Sequence, residues 1–117
     1  MNKRMVLAGM VLGAVLGLVG APFVQSVAWA GNEHVAEALT QAKEAVDHGK
    51  AGHADVLVKH AEDALKHAKG AQEHMKDAHL DAGVKELGEA VSHGKAGHAD
   101  VATKHAEEAV KQLSEVK

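Results

Sequence analysis

The chain has 117 residues, no cysteine, 13 basic against 16 acidic side chains and a formal charge of −3, which leaves room for one small domain. Without cysteine, neither disulfides nor thiolate metal ligands are available. The acidic balance argues against a nucleic-acid partner.

Residues 1–30 read MNKRMVLAGMVLGAVLGLVGAPFVQSVAWA, with a basic start at Lys3 and Arg4, an apolar run from Met5 to Val19 and a small-residue end at Ala28, Trp29 and Ala30. This is the pattern of a secretory signal peptide cleaved after Ala30. The apolar run falls short of the ~20 residues that a spanning helix needs, so no membrane attachment is expected once the leader is removed. Arg4, Pro22, Phe23 and Trp29 all lie in that leader, and residues 31–117 contain no arginine, proline, phenylalanine, tryptophan or tyrosine.

Within residues 31–117 the chain is duplicated. Residues 34–72 align without a gap on residues 79–117, most clearly as VDHGKAGHADVLVKHAEDALK on VSHGKAGHADVATKHAEEAVK. In the first copy Val35, Ala38, Leu39, Ala42, Ala45 and Val46 recur at helical spacing, as do Leu57, Ala61, Ala64, Leu65 and Ala68. The tetrapeptide GKAG, at 49–52 and again at 94–97, interrupts both patterns and reads as a tight connection between two helices. The spacing predicts helices over 33–48, 53–73, 78–93 and 98–115, with the middle boundary the least defined because His74 to Ala78 carries no strong breaker. Two helical hairpins with one apolar stripe per helix bury those stripes by stacking, so the expected fold is all-α: an antiparallel up-down four-helix bundle built from a duplicated hairpin. Its core of Ala, Val and Leu, without isoleucine, gives modest hydrophobic stabilisation at ~25 cal/mol per Å².

Ten histidines are far more than a chain of this size ordinarily carries, and they keep a heptad. His53, His60, His67 and His74 are seven apart, His98 and His105 are seven apart, and His34 and His48 span two heptads across Gln41. Histidine thus runs along one flank of each helix, where imidazoles can reach solvent and a neighbouring helix. Carboxylates occupy adjacent rungs, as in His60–Asp63–His67, Glu86–Glu89–His93 and His105–Glu108, and residues three or four apart share a helix face. At each hairpin, HGKAGH places His48 beside His53, and His93 beside His98, with Glu44 and Glu89 one turn back. These are the best-defined expected sites, a histidine pair plus a carboxylate suited to tetragonal Cu(II) or to open Zn(II) or Ni(II). Cu(II) stands highest in the Irving–Williams order. The remaining histidines, including His79, extend the ligand set. Solvated surface histidine is the ordinary alternative, but it would have to recur at ten positions in register. A lone Met75 makes no methionine-rich Cu(I) site.

Repetition over many similar rungs suits capacity rather than catalysis, which needs one pre-organised centre. Di-iron bundles use Glu-x-x-His pointing inward, whereas His34 to Glu37 and His105 to Glu108 run in the opposite order. The expectation is therefore a non-enzymatic binder of roughly three to six ions at two to three protein ligands each. A module that hands copper to a partner protein is the alternative.

HGKAGH, HADVLVKHAEDALKHAK and HADVATKHAEEAV closely resemble the histidine-rich periplasmic small metal-binding protein family over nearly all of the chain beyond the leader. The resemblance implies periplasmic export and a monomeric four-helix bundle. It also implies a preference for copper over nickel, zinc and cobalt, a role in metal storage or tolerance, and no catalytic activity. Carried over by position, the implied ligands are His34, His48, His53, His60, His67, His93, His98 and His105, while His74 and His79 lie in the least similar stretch. Glu86 and Gln112 stand where the family tends to place histidine.

Overall fold

The structure, a computed structural model, describes residues 22–117. Residues 1–21, most of the expected leader, lie outside the described residues. Four helices follow in order: α1 (Pro22–Lys50), α2 (Ala54–Gln72), α3 (Ala78–Lys95) and α4 (Ala99–Ser114), with no strand among the described residues. Each helix packs on the next in sequence and α4 returns to pack on α1, closing a four-helix bundle. No helix among the described residues is long and apolar enough to cross a membrane.

The core is small and dense. Leu57, Leu80, Leu87 and Leu113 are the largest fully buried side chains, and alanines such as Ala38, Ala61, Ala64, Ala90 and Ala106 fill the spaces between them. These are the residues of the apolar stripes, so helical periodicity alone selects the buried face. No buried side-chain nitrogen or oxygen among the described residues lacks a hydrogen-bond partner.

Three boundaries differ from expectation by two residues or more. Helix α1 begins at Pro22 rather than near residue 33 and passes through the expected cleavage point. The expected cleavage point rests on a pattern of small side chains, which does not by itself end a helix. At their other ends α1 and α3 continue to Lys50 and Lys95, beyond the predicted 48 and 93. Gly49 and Gly94 are therefore helical, and they serve close packing rather than chain breaking. A Cβ on Gly49 would fall on Thr103 Oγ1 and within 2.6 Å of Leu57 Cδ1; one on Gly94 would lie 2.5 Å from Val58 Cγ2.

The turn itself is made by the second glycine of each tetrapeptide. Gly52 (φ +83°) and Gly97 (φ +84°) are left-handed, which glycine adopts without the Cβ clash other residues meet. The His53 amide donates to the His48 carbonyl (2.9 Å) and the Gly52 amide to the Gly49 carbonyl (3.0 Å), a Schellman closure repeated by His98 to His93 and Gly97 to Gly94 at the same distances.

The middle connection, 73–77, ends in a cap that sequence reading missed. The Asp77 carboxylate accepts from the amides of His79 (2.7 Å) and Leu80 (3.3 Å), satisfying donors that the first turn of α3 leaves free.

The duplication extends to the contacts between hairpins. Lys50 pairs with Glu107 at 3.5 Å, and its counterpart Lys95 with Glu62 at 3.1 Å. Gly49 packs on Thr103 where Gly94 packs on Val58, and these residues too are counterparts at the 45-residue offset. The α1–α4 and α2–α3 seams are thus two versions of one interface.

Candidate metal centres

Two groups of three potential ligands emerge, one in each copy. Glu44 and His48, one turn apart on α1, converge with His60 of α2; Glu89 and His93 on α3 converge with His105 of α4. In each group one ligand atom per residue lies within 4.8 Å of the others. The carboxylates are exposed and the histidines half-buried, so an ion could enter from solvent and still be held by two helices.

The partner across the loop differs from the expected one. His53 and His98 are exposed first residues beyond the Schellman turns, with ring centroids 6.3 Å from His48 and His93. His60 and His105, one heptad further on, stack against His48 and His93 at 5.2 Å with interplanar angles of 3° and 7°. The cause is the turn: the bond from the His53 amide to the His48 carbonyl fixes the backbone of residue 53 at the end of the hairpin. The first full heptad of α2 then brings His60 alongside α1.

The inner histidine of each triad has a fixed neighbour. His60 Nδ1 lies 2.7 Å from Gln41 Oε1, and His105 Nδ1 lies 2.7 Å from Glu86 Oε1. Both oxygens can only accept, so each Nδ1 donates and each Nε2 is left as the free donor for an ion. His93 Nε2 lies 3.7 Å from Glu89 Oε1 within its triad.

At the other end of the first hairpin three more histidines gather. His34 Nδ1 is 3.5 Å from His67 Nδ1, and the His34 ring lies 5.7 Å from that of His67 and 6.1 Å from that of His74. Gly70 makes the room, since a Cβ there would come within 3.3 Å of the His34 ring. The second copy differs at the same place. Gln112 stands at the counterpart of His67 and Glu115 at that of Gly70, and both contact His79 Nδ1, at 2.9 and 3.3 Å. The repeat alignment carries the signal for this replacement, and Gln112 is one of the two positions at which the family resemblance marks a missing histidine. Asp63 and Glu108, counterparts of one another, belong to neither triad.

Two imidazoles and a carboxylate at one point form a nitrogen–oxygen donor set that suits borderline divalent ions of the first transition row. No curated protein matches the chain. The sequence profile of the small metal-binding protein family, however, matches residues 6–116, almost the whole length. The chain belongs to the small metal-binding protein family.

Proposed function

We propose that this protein is a periplasmic buffer for transition-metal ions, chiefly Cu(II), with Ni(II), Zn(II) and Co(II) held more weakly, and that it contributes to metal tolerance without catalysing a reaction. The observation that carries this reading is the Glu–His–His convergence built twice at equivalent places in a duplicated chain. Each triad supplies three protein ligands and leaves the remaining positions of a tetragonal ion to water, an arrangement that favours reversible loading. The further group His34, His67 and His74 adds imidazole ligands at the far end of the first hairpin. His53 and His98 lie outside the triads and His79 has the oxygens of Gln112 and Glu115 beside its Nδ1, so these three add weak outer contacts rather than further full sites.

In this reading the leader directs export and is removed, and the remaining residues act as a monomeric antiparallel bundle. The Irving–Williams order favours Cu(II) at imidazole and carboxylate donors of this kind.

The test is calorimetric titration of the metal-free protein with Cu(II) at pH 7.5 and at pH 5.5. Several ions bound at the higher pH and lost at the lower support a histidine buffer. One tight ion, or binding indifferent to pH, rejects it.

A further inference from the structure

The two triads are copies, yet the residue holding the inner histidine is not the same in both. Gln41 faces His60 and Glu86 faces His105, at the same atom and the same 2.7 Å distance, and positions 41 and 86 are counterparts in the repeat. An amide oxygen and a carboxylate oxygen both accept the Nδ1 hydrogen, so both orient the ring alike. They differ in charge. The carboxylate makes the stronger, charge-assisted hydrogen bond, pushes electron density toward Nε2 and makes that nitrogen a better ligand.

Glu86 is itself outside the group of mutually close ligand atoms formed by Glu89, His93 and His105, so it acts through the ring rather than on the ion. It is also shielded. Its side chain is 25% exposed and that of His105 is 30% exposed, less than the 48% of Glu89, and a charge so placed is weakened less by solvent than a fully exposed one.

We infer that Glu86 is a positioning residue that makes the Glu89–His93–His105 triad the tighter of the two, so that the protein fills its second copy before its first. The inference rests on the metal-binding reading above and adds an order of loading to it. A single amide-for-acid difference turns a duplicated site into a graded pair: one holds its ion at low free metal, and the other responds when metal rises.

The experiment is stepwise, substoichiometric addition of Cu(II) to the intact protein at pH 8, above the ordinary histidine range of about 6.5, so that protons do not compete. Paramagnetic broadening of the assigned imidazole signals reports which triad fills. In the wild type, His93 and His105 broaden while His48 and His60 remain sharp, as an affinity ratio of about 10 to 100 requires. Glu86→Gln and Gln41→Glu each bring the triads to broaden together, and the double exchange reverses the order. The metal-free melting temperatures of these near-isosteric variants serve as the control for a purely structural effect. Simultaneous broadening in the wild type, or an order untouched by the exchange, overturns the inference while leaving metal binding intact. If neither triad broadens, the metal-binding reading itself falls.

Discussion

Leu113 sits directly on Gly83: a Cβ built on that glycine would come within 2.8 Å of Leu113 Cδ2 and 2.9 Å of its Cγ. The counterparts of this pair in the first copy are Ala38 and Ala68, so one half distributes its core volume as alanine and alanine and the other as glycine and leucine. Gly83→Ala is expected to destabilise the bundle by about 1–2 kcal/mol, because the overpacking cost exceeds the helix-propensity gain of about 1 kcal/mol. In a Leu113→Ala background the same change becomes stabilising. Gly88, with no atom within 4 Å of such a Cβ, gives the contrast: Gly88→Ala is expected to stabilise by roughly 0.5–1 kcal/mol. Denaturant midpoints at unchanged slope read both, and an increase in stability for Gly83→Ala alone would refute the packing account.

Replacing His60 by glutamine is expected to remove one bound Cu(II), whereas His53→Gln leaves the triad of Glu44, His48 and His60 complete. Ion counting by calorimetry separates these outcomes. Equal loss from both variants would mean that the site spans the loop instead of the two helices.

Each triad joins the two helices of one hairpin, so an ion bound there is lost on unfolding. Saturating Cu(II) should stabilise the fold by about 2.7 kcal/mol per site at a hundredfold excess over the dissociation constant. Imidazole binds ions only when neutral, so this gain should fade between about pH 7 and pH 5. A melting temperature unmoved by copper at pH 7.5 counts against ligands shared between helices.

Asp77 makes the clearest acid-sensitive contact. Its carboxyl is held below the usual range chiefly by the backbone N–H of Lys117, then by those of His79 and Leu80. Because the folded-state value is depressed, the stabilisation is complete above the ordinary aspartate range of about 4 and disappears as pH falls through the lowered value. Asparagine caps a helix as well as aspartate but carries no charge. Thermal melts should place the wild type above Asp77→Asn at pH 7 and bring the two together in strong acid; a gap that persists there would mean that the charge is not responsible.

Much of this is legible in the amino-acid sequence. Periodicity located all four helices, and the offset alignment exposed the duplication. The ligand chemistry followed from histidine rungs with carboxylates one turn away. What escaped was set by short-range geometry. His53 looked like the partner of His48 because four residues separate them, but the Schellman closure leaves its ring 6.3 Å away and lets His60 stack at 5.2 Å. Gly49 looked like a breaker, although it is the residue that lets α1 approach Thr103. The start of α3 seemed unmarked, yet Asp77 immediately ahead of the apolar pattern is a capping signal that sequence reading can use.

The reciprocal pairs Lys50–Glu107 and Lys95–Glu62 have a consequence for how the molecule holds together in dilute solution. A seam whose two sides are interchangeable is the kind of contact that joins identical subunits about a two-fold axis. Here both sides are tethered through residues 73–77. The halves meet at an effective concentration set by that tether rather than by how much protein is present, so dilution cannot part them. Tethering also frees the halves to diverge. Glutamate can replace glutamine at one inner histidine while its counterpart stays unchanged, a distinction that two copies of the same hairpin polypeptide could never keep.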